Sequence, residues 1–293
     1  MKEEKKMNYT ICPFTPENIP GTALLAQNLN ACRETASSFC CSRGEDIRRD
    51  FEKTMEYGFV CMEGEKPVGF INCFPDKEKH NADCTLMSGL CGSAYQETAD
   101  ALLYEMRKTL GPGMELTFFF PKENKECRQF LERTGAQRQE NEYILLLQQE
   151  NWKQPKTTAA APHPLKDEER EAFAHLHDTV FPDVYCSGKD ILNDLGKSRF
   201  VFVVSDEAGL AAYGVLKTHG GKKATVEIVG VRKDARRRGY GRGMLNHLAM
   251  QAFMEFGAQA LDLVVDADNE NALALYFDTG FVVGQENHCY ILR

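Results

Sequence analysis

The chain has no apolar run near the roughly 18 residues that a membrane span needs. Its opening residues, MKEEKKMNYT, are charged and no apolar segment follows them. No secretory leader is therefore expected, and the cytoplasm is the expected compartment. Cysteine is present at 11 positions, but no C-x-x-C pair occurs, Cys40 and Cys41 are adjacent, and nine of the 11 lie at or before Cys127. An odd, unevenly spread set gives neither a disulfide framework nor a zinc spacing and reads as reduced, buried thiols. No metal is implied. A basic excess is also missing: the net charge is -8. That argues against a partner such as nucleic acid, whose binders are usually basic, and makes any local cluster of arginines more informative.

The composition that remains is ordinary for a globular protein, 43% hydrophobic and 27% charged, and 293 residues suggest about two domains. Between them, QENWKQPKTTAAAPHP (149–164) has no hydrophobic periodicity and reads as a linker. The expected division is 1–150, a linker over 151–164, and 165–293. The two halves resemble each other. Adding 145 carries Gly69 onto Gly214, Asn124 onto Asn269 and Gly135 onto Gly280, with no gap between those landmarks. Both halves end on an apolar or alternating run, Tyr143–Leu147 and His288–Leu292. This period is too long for a solenoid repeat and fits a duplicated domain.

In the second half, Phe200–Val204, Gly209–Leu216 and Thr225–Val231 read as strands, each of the first two just beside a short turn. Met244, Leu245, Leu248, Ala249, Ala252 and Phe253 recur at helical spacing over Gly243–Phe256. Ala260–Val265 reads as a buried strand. Asn271–Thr279 reads as a helix stopped by Gly280. Phe281–Val283 and His288–Leu292 read as two closing strands, and Lys166–Thr179 as an amphipathic helix with Phe173, Leu176 and Val180 on one face. The expected fold is α/β, two tandem domains, each a mixed central sheet flanked by helices.

The third of these strands runs directly into Arg236-Arg237-Arg238-Gly239-Tyr240-Gly241-Arg242-Gly243, and a helix follows at once. Glycines let a backbone approach a phosphate, the helix start adds partial positive charge, and arginines supply charge-assisted hydrogen bonds. Neither familiar phosphate motif fits. No Lys-Ser or Lys-Thr follows the glycines, and Met244 stands where G-x-G-x-x-G needs its third glycine. What remains is R-x-x-G-x-G over Arg236–Gly241. It is preceded by V-x-V at Val229 and Val231 and followed some thirty residues later by Asn269, Ala272, Tyr276, Gly280 and Phe281 in an N-x-x-A-x-x-x-Y-x-x-x-G-F pattern.

In these motifs the half from about Lys166 to Arg293 resembles the GNAT superfamily of N-acetyltransferases. The resemblance implies acetyl-CoA as co-substrate, its pyrophosphate on the backbone of Arg237–Arg242 with Arg236 adjoining. It implies pantetheine beside Val229 and Val231, with Asn269 bonding the arm or capping the helix that follows it. Tyr276 would protonate the departing thiolate, or else serve only as a core tyrosine. Glu227 would take the proton from the acceptor amine, or else face the surface. In FPDVYCSG, Phe181, Asp183 and Tyr185 would wall the acceptor pocket, or form a packed connection. His175 and His177 read as surface or core residues. In the first half Cys91, Ala94 and Gln96 fall opposite Arg236, Gly239 and Gly241, and Leu131 replaces the tyrosine, so that half is expected to be a degenerate copy without a pyrophosphate loop. The expected function is acetyl transfer from acetyl-CoA to a small-molecule or peptide amine by direct attack in a ternary complex. No signature for a covalent enzyme intermediate is present. An acyl-CoA-binding module without turnover and an aminoacyl or longer-acyl transferase are the alternatives. The acidic balance favours a cationic acceptor. A monomer or homodimer, with no membrane or nucleic-acid partner, completes the expectation.

Overall fold

A computed structural model describes residues 9–153, 161–182, 184, 186–196, 198–219 and 221–293. The chain forms two compact units, one of residues 1–142 with 286–293, the other of residues 143–285. These differ from the contiguous segments 1–150 and 165–293, because the end of the chain belongs to the first unit and Tyr143–Gln148 to the second.

In the first unit the chain runs through β1 (Tyr9–Pro13), α1 (Ile19–Asn30), α2 (Gly44–Lys53), β2 (Gly58–Glu63), β3 (Lys66–Asp76), β4 (Asn81–Ser88), α3 (Gly92–Leu110), β5 (Glu115–Pro121), α4 (Lys125–Arg133) and β6 (Gln137–Arg138). The second unit contains β7 (Glu142–Gln148) from Tyr143 onward, β8 (His163–Pro164), α5 (Arg170–Val180), α6 (Gly188–Asn193), β9 (Arg199–Asp206), β10 (Gly209–Thr218), β11 (Lys223–Val231), α7 (Tyr240–Met250), β12 (Ala260–Asp266) and α8 (Glu270–Thr279). The last strand, β13 (Val282–Leu292), gives its first four residues to the second unit and the rest to the first.

The expected break between Phe281–Val283 and His288–Leu292 is therefore absent. The polar stretch across it is accommodated by pairing: Asn287 and His288 are buried opposite Pro121 and Phe120, and Glu286 is ion-paired to Lys122 at 2.9 Å. Helix α5 begins at Arg170 after a 3-10 turn over Asp167–Glu169, later than the hydrophobic pattern suggests. Helix α7 continues as a π turn over Gln251–Glu255. Gly280 ends α8 in the left-handed region at φ 103°, as expected of a glycine cap.

Both units repeat one plan: an antiparallel meander followed by a parallel strand pair joined through a helix. The second-unit sheet runs β8-β9-β10-β11-β12-β7 and then β13. One face carries Leu245, Leu248, Leu261, Leu263 and Phe281 beneath α7 and α8. The opposite face carries Phe173, Ile191, Val203, Tyr213 and Ile228 beneath α5 and α6. Alternation along β12 sends Leu261, Leu263 and Val265 to the first face, and hence Asp262, Val264 and Asp266 to the second.

Candidate functional site

The site grows out of one irregularity in β11. Val215 of β10 faces Ile228, but the next residue, Leu216, faces Val226, so Glu227 is the extra residue of a β-bulge. The bulge reverses the alternation. Ala224 and Val226 face the α7/α8 core, whereas Ile228 faces the α5/α6 core. Beside the bulge the sheet opens. The parallel ladder between β11 and β12 runs from Lys223↔Ala260 to Thr225↔Asp262, while β11 continues to Val231 and β12 to Asp266. Past Thr225 the inner edges of two strands diverge, and Val264 on the rim is 56% exposed.

At the wide end of this opening lies the arginine loop. Arg232 fastens its root. The guanidinium donates to Asp206 at 2.8 and 2.9 Å, to the Leu210 carbonyl at 2.8 Å and to Asp234 at 2.6 Å, and it holds the Asp206 carboxyl below the usual carboxylate range. A 3-10 turn over Lys233–Ala235 follows, and Arg236 donates from Nε to the Val231 carbonyl at 3.2 Å. Arg237 then adopts φ 61° and Gly239 φ 90°. A left-handed arginine is an uncommon conformation, of the kind that concentrates at ligand sites. The chain turns at Gly239 directly into α7, whose first N–H groups have no partner within the helix. Arg236, Arg237 and Arg238 are exposed. A small cleft of about 80 Å³ is lined by Arg238, Gly239, Tyr240 and Met244. A larger groove of about 420 Å³, lined by Lys153, Arg242, Asn246 and Asp278, lies along the other flank of α7, with Arg242 bound to Asp278 at 2.5 Å. An arginine-rich loop with two left-handed residues, leading from a divergent strand into a helix start, suits a diphosphate with an extended tail.

The remaining sequence-selected residues fall as follows. Asn269 caps α8, accepting from the Ala272 N–H at 3.2 Å. Tyr276 packs its ring near Phe281, and burial raises its phenol above the usual tyrosine range, which keeps it protonated. Glu227 is bound. Arg199 grips it with two hydrogen bonds, 2.7 Å to Oε2 and 2.9 Å to Oε1, and Lys217 stands 3.6 Å from Oε1. Phe181 ends α5 and packs at the edge of the α5/α6 core. Asp183 and Tyr185 lie outside the described residues. His177 is fully buried between the Tyr213 hydroxyl at 2.8 Å and the Cys186 carbonyl at 2.9 Å. A carbonyl only accepts, so Nε2 carries a proton, and the buried Tyr213 hydroxyl is placed to donate to Nδ1, which makes this a structural histidine. The Tyr213 ring lies where a side chain at Gly230 would stand.

A cluster that the sequence reading missed occupies the narrow end of the opening. Thr225 Oγ1 donates to Asp262 Oδ1 at 2.5 Å, His219 Nε2 lies 2.8 Å from the same hydroxyl, and Lys223 meets Asp262 Oδ2 at 2.6 Å. The signal available in the sequence was an aspartate inside the otherwise apolar strand ALDLVVD.

The first unit repeats the opening but not the loop. Its parallel ladder also stops after three pairs, at Asp83↔Thr117. Only Gly89, Leu90 and Cys91 separate β4 from α3, against eight residues, Arg232 to Gly239, in the second unit. The gapless register fails here: Gly69 faces Ser88 where Gly214 faces Val229, and Ala94 and Gln96 lie inside α3. The connection is shorter and carries no arginine, though it keeps Gly89 and enters α3 at Gly92, and a longer helix offsets the lost length. The positions that a ligand would use are filled from within. Glu126 accepts from the Gly92 N–H at the start of α3 (3.0 Å). Ser38 donates its N–H to the Phe119 carbonyl at 2.9 Å, and Asn124, capping α4 as Asn269 caps α8, donates its amide to the Ala36 carbonyl at 3.0 Å.

Residues 159–281 match the acetyltransferase (GNAT) family. This segment belongs to the GNAT family. The GNAT family's members are acyl-CoA-dependent transferases. Over nearly the whole chain the fold is that of solved GNAT structures. A GCN5-related N-acetyltransferase from Sphaerobacter thermophilus superposes with a TM-score of 0.76 at 13% identity, covering 97% of this chain and 95% of that one. A tandem GNAT protein from the clavulanic acid biosynthesis pathway gives 0.70 at 15%, covering 97% and 98%. A GNAT-family acetyltransferase from Colwellia psychrerythraea gives 0.66 at 12%, covering 97% and 100%. No curated protein matches the sequence. Among the described residues no helix is long and apolar enough to cross a membrane.

Proposed function

We propose that the second unit transfers an acetyl group from acetyl-CoA to an amine by direct attack in a ternary complex, and that the first unit is a copy that has lost cofactor binding. The observation that carries this reading is the loop from Arg236 to Arg242. Its left-handed turn leads into a helix start flanked by exposed arginines, at the end of a strand that parts from its parallel neighbour. The N–H groups of Arg237–Arg242 and the Arg236 and Arg238 side chains would hold the pyrophosphate. The edge of β11 at Val229 and Val231 and the amide of Asn269 would hold the pantetheine arm. The way Asn124 binds a main-chain carbonyl in the first unit supports this use of Asn269. From Val231 back to Glu227 is four residues, roughly 13 Å of strand. That suits an extended pantetheine arm, whose reacting carbonyl would then lie beside the bulge.

Bound acetyl-CoA supplies the activated acyl group; the chain's residues bind, orient and move protons. Tyr276, kept protonated by burial, donates to the departing sulfur. Glu227, gripped by Arg199, acts as a fixed anion on the α5/α6 side, where Phe181 also packs. With Asp262 and Asp266 on the same side, it favours an acceptor that arrives as a cation. Thiol release from acetyl-CoA, followed with a panel of primary amines, tests the reading. Turnover with some amine is expected. Tight binding of acetyl-CoA with no amine-dependent release across the panel would instead mark a binding module.

A further inference from the structure

We propose that His219, oriented by Thr225 and Asp262, takes the proton from the acceptor nitrogen. The inference rests on the acetyl-transfer reading above.

A carboxylate offers about four acceptor directions. Glu227 spends two on the Arg199 fork and turns a third toward Lys217. A proton arriving there would neutralise the anion that pairs with Arg199 and Lys217, which disfavours it. His219 is not bound in that way. It follows the last residue of β10, in the turn that leads into β11, and its ring meets the hydroxyl of Thr225, the last β11 residue before the strands part.

The hydrogen bonds decide which ring nitrogen is free to act. Asp262, ion-paired to Lys223 at 2.6 Å, is a carboxylate and only accepts. The Thr225 hydroxyl must therefore spend its one proton on Asp262, at 2.5 Å. Its oxygen can then only accept from His219, so Nε2 carries the ring proton across the 2.8 Å contact. In the neutral ring Nδ1 is left with a lone pair. When Nδ1 takes a proton, the new imidazolium is stabilised through Thr225 by the Asp262 charge. The ring keeps an exposed edge, through which an acceptor or a water can reach it.

The step balances. The acceptor nitrogen forms a bond to the acetyl carbon, and the carbon–sulfur bond breaks. An acceptor that arrives as an ammonium first loses one proton to solvent; its second passes to His219 Nδ1 as the nitrogen attacks, and the sulfur takes one from the Tyr276 hydroxyl. Solvent then returns the proton from His219 to Tyr276, and nothing is oxidised or reduced.

The charged groups that face the ring are Asp262 from β12, Lys217 from β10, and Lys223 and Glu227 from β11. Partial burial is the largest influence and holds the ring below the usual histidine range. The two lysines act in the same direction, and the two carboxylates oppose them. The proton-accepting form exists above that lowered value and is lost as pH falls through it. The low-pH limb of kcat/KM should therefore lie below the ordinary histidine value.

The test is a set of pH–rate profiles for thiol release, using wild type, His219→Gln and Thr225→Val with an amine the wild type acetylates. His219→Gln should lower kcat about 100-fold, in line with loss of a general base, and remove the low-pH limb. KM for acetyl-CoA should stay within about twofold, which shows that the variant folds. Thr225→Val should lower kcat and shift the limb. Long-range nitrogen NMR of the wild type should show the Nε2–H tautomer of His219 at neutral pH. A His219→Gln enzyme with kcat within about threefold and the limb unmoved, or an Nδ1–H tautomer, overturns this inference while acetyl transfer stands. A wild type that releases no thiol with any amine overturns the acetyl-transfer reading and the base assignment with it.

Discussion

Replacing Arg199 by methionine isolates what the Glu227 carboxylate does. Arg199 is 8% exposed and the Glu227 side chain 9%. Among the described residues, the substitution leaves an anion in a desolvated place with Lys217, 3.6 Å away, as its remaining ionic partner. Breaking a buried pair from one side typically costs 3–5 kcal/mol. With the partly exposed Lys217 remaining, about 2–4 kcal/mol is expected, or a fall in Tm of roughly 4–16 °C for a unit of this size. Adding Glu227→Gln removes the stranded charge, so the double variant should recover to within about 1 kcal/mol of wild type, an interaction energy of about 2 kcal/mol or more. Urea unfolding of wild type, both single variants and the double variant completes the cycle. If Arg199→Met costs less than about 0.5 kcal/mol, or if the two changes add, the carboxylate is not held as described and its exclusion as proton acceptor loses its basis.

Tyr276→Phe should lower kcat about 100-fold with little change in KM for acetyl-CoA, since the ring packing against Phe281 is kept and only the proton donor is lost; steady-state kinetics decides. Asn269→Ala should cost about 1 kcal/mol of stability through the lost cap and also weaken acetyl-CoA, a pairing of effects that melting curves with and without acetyl-CoA can separate. Tyr213→Phe should destabilise by about 1–3 kcal/mol, because it leaves Nδ1 of the buried His177 unpaired; chemical denaturation measures this, and a neutral outcome would contradict the tautomer assigned to that ring.

Much of the site was legible because it depends on neighbours in sequence. The left-handed turn at Gly239, the glycine stop at Gly280 and the Asn269 cap are each decided within a few residues. What the sequence did not disclose depends on distant partners. Glu227 stands on a strand that reads as regular, and both its bulge and its Arg199 clamp come from β10 and β9. His219, Thr225 and Asp262 meet because two strands are in parallel register across 37 residues of chain. The fixed 145-residue offset hid a shortened loop in the first unit, because a longer α3 restored the count before Glu115. The continuity of β13 was hidden by polar residues whose partners, Lys122 and Asn141, lie more than 140 residues earlier.

The most direct test is calorimetric titration of acetyl-CoA into wild type and into the triple variant Arg236→Ala, Gly239→Asp, Gly241→Asp. A Cβ added at Gly239 or Gly241 meets no atom closer than 3.5 Å, so the variant should fold, with backbone strain at Gly239. It removes one cation and adds two anions where the pyrophosphate would sit. One equivalent bound by wild type and none by a variant that still melts cooperatively is the predicted result. Undiminished binding by the variant, or two equivalents in wild type, would contradict the assignment of the cofactor site to the second unit.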